Sequence, residues 1–240
     1  MLNAILTVLC TVAGYLLGSI SASVLLSKLI YKGDVRNYGS HNAGATNMAR
    51  VYGLFGGLLV LLGDFLKAVI AMLIPVLLGV LIPDFTAGEL AYVLAGAGCF
   101  LGHAYPIFFG FKGGKGVTVG AAVALMTDWK AFLIIISVFV IVFIITHIVS
   151  ISSISAAAAF IVTGVLFYVF NVHSYSIFFG SQPFTLYKMC LAIFAGALVI
   201  FLHRSNIGRL IRKEEKRFTF KKRAEVKEEL KERKESKENQ

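Results

Sequence analysis

Charged side chains are scarce in this sequence, and their scarcity decides its broad class. Lys, Arg, Asp and Glu make up 15% of the 240 residues, whereas about 25% is usual in soluble domains. Hydrophobic residues make up 58%, and the mean hydropathy is +0.80. These values exclude an ordinary soluble globular domain and indicate a polytopic membrane protein. The net charge of +10 therefore suits an anionic membrane surface, and we expect no nucleic-acid partner.

Cysteine is scarce as well, which excludes a second group of structures. Cys10, Cys99 and Cys190 each lie in an apolar run and are far apart in the sequence. We therefore expect small packing residues, with no disulfide framework and no metal site. A Walker A loop is also missing, because Gly110 lies five residues before Lys115 rather than six and another glycine follows the lysine. A nucleotide hydrolase is thus disfavoured.

Long apolar runs fill the first 203 residues and are separated by short polar connections. A helical span needs about 20 apolar residues, and six runs approach or exceed that length. A seventh run, 117–127, has eleven residues and is ambiguous. Small residues at four-residue spacing, such as Gly14 with Gly18 and Gly98 with Gly102, predict close helix contacts in lipid. The six long runs cover residues 2–26, 55–82, 87–109, 131–149, 151–170 and 184–203.

The positions of Lys and Arg predict the sidedness of these runs. Basic residues concentrate in connections 28–53 and 110–116 and in the tail after residue 203, which the positive-inside tendency places in the cytoplasm. An even number of crossings must then lie between the second connection and the tail. We therefore predict that 117–127 also crosses, with a re-entrant segment as the alternative. The predicted fold is an all-α polytopic integral membrane protein with seven transmembrane helices, an outside N-terminus and a cytoplasmic C-terminus.

These spans divide the chain into two parts. Residues 1–212 form the predicted transmembrane domain, with cytoplasmic loops at 31–53 and 110–117. Residues 213–240 are rich in Lys and Glu, and we expect a charged cytoplasmic tail that is either a solvated helix or disordered.

The first predicted loop contains groups that suit a phosphate or an acyl phosphate. Its central part, GDVRNYGSHNAGATNMAR over residues 33–50, offers two guanidinium groups, two hydroxyls, three carboxamides and several glycine-spaced amides. Arginine binds phosphate oxygens through two parallel hydrogen bonds, and the N–H groups of a glycine-rich loop can surround them. An ordinary polar loop whose arginines follow the positive-inside bias is the alternative, and the composition does not separate the two.

The second predicted loop places a lysine among glycines at the head of a helix. Gly113, Gly114 and Gly116 surround Lys115, and glycine permits positive φ and close ligand approach. A helix N-terminus that follows would add partial positive charge. His103 precedes this lysine by twelve residues and is either a base near neutral pH or simply a hydrogen-bonded histidine.

The few polar residues inside the runs form a second set of candidates. Asp64 and Lys67 lie on one face of the second run, and charges at that depth are costly unless they pair; they form either a structural ion pair or a pair lining a cavity. Ser19 is a candidate cavity hydroxyl, although a helix serine more often binds its own backbone. Ser150 lies at a predicted cytoplasmic junction.

The last apolar run ends in a further polar group. His203, Asn206 and Arg209 follow one another at three-residue spacing and would share one helix face. All of these groups converge on one membrane side, whereas a transport path would place them at mid-bilayer. This convergence favours an enzyme with a lipid-soluble donor and a polar cytosolic acceptor over an anion transporter or lipid-phosphate carrier.

Together these motifs resemble the bacterial acyl-phosphate:glycerol-3-phosphate acyltransferases, the PlsY family. The resemblance covers nearly the whole membrane region. The chain departs from the family pattern at His41 and Ala68, where glycine is usual, and in its longer, more charged tail. The matching motifs are DxRxxGSxNxGATNxxR from Asp34 to Arg50, GDxxK from Gly63 to Lys67, GHxxPxxxxFxGGKGV from Gly102 to Val117, the serines around Ser150, HRxNIxRL from His203 to Leu210, and the acidic Glu215.

The resemblance implies transfer of a fatty acyl group from acyl phosphate to the sn-1 hydroxyl of glycerol 3-phosphate, giving lysophosphatidic acid and phosphate. This is an early step of phospholipid synthesis in the bacterial cell membrane, with the active site on the cytoplasmic side. It implies no metal, no cofactor and no covalent acyl-enzyme, and it makes a soluble acyl-phosphate-producing enzyme a candidate partner. An acyltransferase that uses acyl-CoA is the alternative within the same reaction class.

The candidate residues then take distinct roles. His103 is the candidate general base, with a substrate phosphate as the alternative proton acceptor. The acyl chain would lie between spans. Candidates for the acyl-phosphate head are Arg36, Ser40, Asn42, Thr46 and Asn47. Candidates for glycerol 3-phosphate are Lys115, Arg50, Ser150, His203 and Asn206. Ser19, Asp64, Lys67, Arg209 and Glu215 complete the predicted site.

Overall fold

Ten α-helices and one β-hairpin make up the described part of the chain. The computed structural model describes residues 1–86, 88–176 and 180–218, so most of the predicted tail lies outside the described residues. The helices are α1 (Leu2–Gly18), α2 (Ala22–Tyr31), α3 (Ala45–Tyr52), α4 (Leu54–Leu81), α5 (Gly88–Ala104), α6 (Val117–Thr127), α7 (Trp129–Thr146), α8 (Val149–Val169), α9 (Leu186–Leu202) and α10 (Arg204–Ile211). The strands are β1 (His173–Ser176) and β2 (Gly180–Pro183).

The long helices are apolar enough to cross a membrane. Five segments in the described residues are long and apolar enough to span a membrane. They are α1 together with α2, α4, α5 extended to Phe109, α7 and α8. A sixth is α9 together with α10, which bend by 55° at their junction. These helices confirm an all-helical integral membrane fold. Helix α6 has only 11 residues, roughly 16 Å at 1.5 Å per residue, so the seventh crossing stays a prediction.

Side-chain exposure on α7 agrees with a lipid environment. Ile141, Ile144 and Ile145 are 57%, 64% and 74% exposed, which a soluble protein would avoid on one continuous face. Lipid tails solvate such side chains, while the helix satisfies its own backbone hydrogen bonds. The buried core lies between α4, α5, α6, α8 and α9 and includes Tyr92 and Phe100.

Helices α1 and α5 pack through their backbones, as the four-residue spacing of small residues predicts. A Cβ added at Gly14 would lie 2.3 Å from the Ala95 carbonyl oxygen, and one added at Gly18 would lie 2.1 Å from that of Cys99. No side chain larger than hydrogen fits at these distances. The contact places the end of α5, and therefore His103, next to the end of α1.

The first apolar run is broken, although its composition predicts one continuous helix over 2–26. Ser21 caps α2, because its Oγ accepts a hydrogen bond from the Val24 N–H at 3.4 Å. The break leaves the Ile20 carbonyl outside either helix, and Lys67 Nζ donates to it at 2.9 Å. A helix end inside the bundle thus supplies a partner for a lysine of α4.

The β-hairpin marks the end of the bundle opposite the two glycine-containing loops. Its strands are antiparallel, with His173 paired to Pro183 and Ser174 to Gln182. Ser174 Oγ donates to the carbonyl of Thr127, the last residue of α6, at 3.3 Å. Below, "loop end" means the end of the bundle that carries residues 33–50 and 110–116, and "hairpin end" means the opposite end.

Candidate active site

A cavity of about 680 Å³ opens at the loop end of the bundle. Its walls come from the first loop with α3, the glycine-rich loop with α6, α4, α7, α8, α10 and the segment after α10. Most of the predicted site residues line it, while Ser19, Arg36 and Lys67 lie outside its lining. Those that line it are Ser40, Asn42, Thr46, Asn47, Arg50, Asp64, His103, Lys115, Ser150, His203, Asn206, Arg209 and Glu215.

The first loop is organised by the carboxamide of Asn47. Its Nδ2 donates to the carbonyls of Val35, Tyr38 and Asn42 at 3.0–3.1 Å. Its Oδ1 accepts from the Ser40 N–H at 2.8 Å. Both ends of the amide are therefore engaged within the loop. Asn47 shapes the loop that carries the other candidate ligands, and its side chain is 1% exposed.

Arg36 holds the two loops together. Its Nη2 lies 2.8 Å from Asp34 Oδ2, and its Nη1 donates to the Phe109 carbonyl at 2.8 Å. The hydrogen bond from Arg36 holds the pKa of the Asp34 carboxyl below its usual range, and partial burial only partly opposes it. Asp34 therefore stays ionised and keeps the guanidinium engaged. Direct binding of acyl phosphate by Arg36 stays a prediction that this geometry does not favour.

Arg50 is a cation that faces the cavity without an acidic neighbour. It lies on α3 and is half-buried. Across residues 1–86, 88–176 and 180–218, no carboxylate forms a salt bridge with it. An unpaired guanidinium at a cavity wall is a suitable ligand for phosphate oxygens.

The glycines of the second loop serve packing as well as ligand approach. The Gly114 N–H donates to the His103 carbonyl at 3.1 Å, and a Cβ added at Gly114 would lie 2.3 Å from His103 Nε2. Gly113 is equally tight against the end of α5. Gly116 has φ +77° and its missing side chain makes room for the ring of Phe100. These contacts fix Lys115 at the start of α6.

A hydrogen-bonded polar cluster joins this loop to the end of the chain. Lys115 Nζ donates to Asn206 Oδ1 at 2.5 Å, and Asn206 Nδ2 donates to Glu215 Oε1 at 2.6 Å. Ser150 Oγ donates to the same carboxylate oxygen at 2.9 Å. Arg209 Nε donates to the other, Oε2, at 2.5 Å. The predicted group of His203, Asn206 and Arg209 is thus brought beside Lys115, although the sequence separates them by about ninety residues.

The charges of this cluster shift the pKa of two of its members. Burial lowers the pKa of Lys115 to about 8, while the Glu215 charge opposes that shift. Burial raises the pKa of Glu215, but hydrogen bonds from Arg209, Asn206 and Ser150 outweigh it, so the net pKa lies below its ordinary value. At neutral pH the cluster therefore holds one carboxylate between two cations.

A buried triad closes the cavity against α1 and α5. Lys67 Nζ lies 2.8 Å from Asp64 Oδ1 and 3.0 Å from His103 Nδ1. Asp64 and His103 line the cavity, whereas Lys67 stands behind them. Asp64 Oδ1 lies 3.5 Å from the same nitrogen, but Lys67 is nearer, and an ammonium can only donate. We therefore assign Nδ1 of His103 as the acceptor. The ring proton of a neutral His103 then sits on Nε2.

His203 has the opposite tautomer. Its Nδ1 lies 2.8 Å from the Val199 carbonyl oxygen, which can only accept. Nδ1 therefore carries the proton, and Nε2 of the neutral ring keeps its lone pair. Both histidines line the cavity, so His103 offers it a donor and His203 an acceptor.

The deeper part of the cavity is apolar. It lies between helices rather than loops, so an extended hydrocarbon chain fits there next to the cationic end. Its lining residues are Leu61 and Phe65 of α4, Val117 and Ala121 of α6, Phe132, Ile135, Ile136 and Phe139 of α7, and Val149 and Ala156 of α8.

Several lining residues were not among the predicted site residues. The segment after α10 contributes Glu214, Lys216 and Phe218, and the Phe218 N–H donates to the His147 carbonyl at 2.7 Å. Two phenylalanines, Phe218 and Phe220, within a charged stretch are the sequence signal that could have pointed to this segment. His41, Thr118 and Ser153 also line the cavity. In the described residues, no three His, Cys, Asp or Glu side chains cluster as a metal site.

Ser19 follows the more common of its two predicted roles. Its Oγ donates to the Tyr15 carbonyl at 2.9 Å and accepts from the Ile107 N–H at 3.4 Å. The hydroxyl is therefore used where α1 meets the segment after α5. A direct contact between Ser19 and substrate stays a prediction.

Comparison with known proteins identifies similar chains. A family model described as glycerol-3-phosphate acyltransferase matches residues 8–213. A glycerol-3-phosphate acyltransferase of Finegoldia magna is 35% identical over 210 residues, 88% of this chain and 95% of its own. One of Geobacillus kaustophilus is 36% identical over 211 residues, again 88% and 95%.

Two solved structures are similar as well. Both are crystal structures of PlsY, an integral membrane glycerol 3-phosphate acyltransferase, at 34% identity. The glycerol 3-phosphate form has a TM-score of 0.73 and covers 89% of this chain and 96% of its own. The lysophosphatidic acid form has a TM-score of 0.71 and covers 89% and 95%.

Proposed function

This chain belongs to the glycerol-3-phosphate acyltransferase family, and from that premise we propose that its acyl donor is acyl phosphate and its acceptor the sn-1 hydroxyl of glycerol 3-phosphate. The products are lysophosphatidic acid and inorganic phosphate. The observation that carries the proposal is the cavity, whose cationic end suits two phosphates and whose apolar end suits one acyl chain. Such a reaction supplies lysophosphatidic acid for phospholipid synthesis.

The acceptor site lies around Lys115. Lys115, Ser150, Asn206, Arg209 and the unpaired Arg50 surround one region of the cavity wall. Their ammonium, guanidinium, amide and hydroxyl groups can all donate to phosphate oxygens. Glu215 holds several of these donors in place and limits the excess of positive charge.

The donor head group binds beside the first loop. Ser40, Asn42 and Thr46 line the cavity there, and Thr46 is in the first turn of α3. The free N–H groups of a helix N-terminus favour an anion. Asn47 and Arg36 keep the loop in shape, and Asp64 and His103 line the same cavity.

The reaction is one acyl transfer. The sn-1 oxygen attacks the carbonyl carbon of the donor, the bond from that carbon to the phosphate oxygen breaks, and phosphate leaves with its electron pair. The hydroxyl proton must go to an acceptor. His203 Nε2 has a free lone pair in the described arrangement, and the donor phosphate, with a second pKa of ~6, is the alternative acceptor.

His103 then has a different task from the one its position suggests. Because its Nδ1 accepts from Lys67, its Nε2–H can donate to the carbonyl oxygen of the donor or to a phosphate oxygen. A preorganised donor at a developing oxyanion contributes ~3–4 kcal/mol to the barrier reduction. Holding both substrates in one cavity contributes ~7–11 kcal/mol more.

The proposed topology has seven crossings, with the loop end in the cytoplasm and the N-terminus outside. Helix α6 supports it, because the helix begins at the glycine-rich loop and its last residues contact the hairpin end. Thr127 accepts from Ser174, and the Met126 carbonyl accepts from the Tyr92 hydroxyl near the start of α5 at 2.5 Å. The active site then faces the cytoplasm of a bacterial cell, where a soluble acyl-phosphate-producing enzyme can deliver the donor.

The donor is tested by assaying the purified protein with labelled glycerol 3-phosphate and either palmitoyl phosphate or palmitoyl-CoA. We expect lysophosphatidic acid from palmitoyl phosphate alone. Product from palmitoyl-CoA alone would show that the donor is acyl-CoA rather than acyl phosphate. No product from either, with a folded protein, would contradict the acyl-phosphate proposal, and uptake of glycerol 3-phosphate into sealed vesicles would then test the transporter alternative.

A further inference from the structure

A small apolar pocket adjoins the apolar part of the cavity, and the proposed chemistry does not use it. It measures about 30 Å³ and lies between α6, α7, α8 and α9. Its lining shares residues with the main cavity, so the two spaces share a wall. The shared residues are Val117, Ala121, Ile135, Ser153 and Ala156. Below, "side pocket" means this space.

The side pocket exists because small residues meet there. Gly120 of α6, Ala157 of α8 and Ala195 of α9 line it, and none of them can fill the space between the helices. Gly196 brings α9 close to α8, since a Cβ there would lie 2.7 Å from the Ala157 carbonyl oxygen. Protein interiors are normally packed without such gaps, so unfilled apolar space beside a ligand cavity suits the end of a ligand.

One aromatic side chain lies at the deep end of the side pocket. Phe160 is the lining residue of α8 farthest from the loop end, about 10 Å along the helix from Ser153 at 1.5 Å per residue. It is 3% exposed and belongs to the hydrophobic core. Ser153 adds no free donor, because its hydroxyl is bound to the Val149 carbonyl at 2.8 Å.

We propose, on the basis of the proposed function, that the side pocket receives the methyl end of the acyl chain and that Phe160 limits the chain length used. The shared wall places the side pocket directly beside the apolar part of the cavity, where the acyl chain would lie. Each methylene that moves from water or from disordered lipid into a close-fitting apolar pocket gains van der Waals contacts. A chain that is too long meets the ring of Phe160 and loses them.

The test compares Ala157→Leu, which fills the side pocket, with Phe160→Ala, which deepens it. Neither residue lines the cationic end of the cavity. The measurement is kcat/KM for lauroyl, myristoyl, palmitoyl and stearoyl phosphate. We expect Ala157→Leu to lower the stearoyl-to-lauroyl ratio by about fourfold for each methylene excluded. Phe160→Ala should raise the same ratio.

Two matched variants on the same helix control for general effects. Ala158→Leu adds the same side chain at an exposed position outside the side pocket. Phe167→Ala removes the same ring where it packs on Phe184, with ring centroids 5.6 Å apart. Both should leave the stearoyl-to-lauroyl ratio at the wild-type value, even where they change overall activity.

An unchanged ratio in a folded Ala157→Leu variant would overturn the proposal. It would place the chain along the α4 and α7 wall, beside Phe65 and Phe139, instead. If Ala157→Leu fails to fold, Ala157→Val takes its place. Ala157→Val should then lower the stearoyl-to-lauroyl ratio, and Phe160→Ala should raise it. If the wild type uses only acyl-CoA, the donor proposal fails, and the same ratio measured with acyl-CoA still decides the role of the side pocket.

Discussion

At the residue scale, the hydrogen bonds of two histidines favour roles that differ from those the sequence predicts, which are a base for His103 and a glycerol 3-phosphate ligand for His203. His103 accepts from Lys67 at Nδ1, whereas His203 donates from Nδ1 to the Val199 carbonyl. A base needs a free lone pair directed at the substrate, and only His203 keeps one at Nε2. We therefore propose His103 as the hydrogen-bond donor and His203 as the base.

Replacing each histidine by glutamine separates these tasks. Glutamine cannot accept a proton near neutral pH but still offers an N–H, so we expect His203→Gln to lower kcat by about a hundredfold or more. His103→Gln should lose less than about tenfold, because a donor remains. The kcat of the wild type and of both variants is measured across pH; we expect the wild-type kcat to fall at low pH and that fall to vanish in His203→Gln. A larger loss of kcat in His103→Gln than in His203→Gln would instead indicate that His103 is the base.

The pKa of Lys115 predicts a second pH effect. Burial lowers it to about 8, so Lys115 carries its charge below that pH and loses it as the pH rises above. We expect kcat/KM for glycerol 3-phosphate to fall above about pH 8, since a phosphate ligand loses its cation. Lys115→Arg keeps the charge at every pH used, so its profile should stay flat there. A wild-type profile without the fall would exclude Lys115 as a titrating ligand.

Sequence motifs located most of the lining residues of the cavity but not the work that each does. Arg36 reads as a phosphate ligand, yet its guanidinium is held by Asp34 and by the Phe109 carbonyl, 73 residues away. Lys67 likewise donates a hydrogen bond to the Ile20 carbonyl, 47 residues away. A motif reports which groups are present, whereas their partners depend on the packing of distant segments.

At the scale of elements, close helix contacts position the residues of the site. His103 lies in the last turn of α5, which packs backbone to backbone against α1. A larger side chain at that contact would therefore displace the triad of Asp64, Lys67 and His103. The spacing of the glycines in the sequence predicts that these helices make close contacts, but not which helix each one contacts. The sequence does not predict the β-hairpin, because residues 173–183 lack apolar alternation. Strand β1 is held instead by distant contacts such as that between Ser174 and Thr127.

Gly14→Ala tests the contact of α1 with α5. The added Cβ would lie 2.3 Å from the Ala95 carbonyl oxygen, so we expect a loss of about 1–3 kcal/mol in the free energy of unfolding, as for other overpacked sites. Gly79→Ala is the matched control, because a Cβ there has no atom within 4 Å in the described structure. Thermal unfolding in one detergent compares the two. Equal melting temperatures would contradict the packing argument.

At the scale of the whole molecule, the arrangement of charges and of apolar helices agrees with a membrane enzyme that works at one surface. The cationic groups gather at the loop end, and the apolar part of the cavity reaches between helices. The number of apolar helices could be predicted from the sequence except at α6, whose 11 residues are too few for length alone to separate a crossing from a re-entrant segment.

Seven crossings place the hairpin end outside the cell. In a variant whose native cysteines are replaced, we expect His173→Cys to react with a membrane-impermeant maleimide on intact cells stripped of their outer layers. Lys112→Cys, in the glycine-rich loop, should react only after the membrane is permeabilised. If α6 does not cross, the hairpin lies in the cytoplasm, and His173→Cys would stay protected until permeabilisation.

In the proposed reaction both substrates occupy one cavity, and the acyl group moves directly between them. The most direct test is the release of inorganic phosphate from palmitoyl phosphate before and after glycerol 3-phosphate is added, together with the initial-rate pattern for both substrates. Direct transfer predicts no burst of phosphate without acceptor, and intersecting lines. A burst equal to the enzyme concentration, with parallel lines, would show a covalent acyl-enzyme and contradict the account.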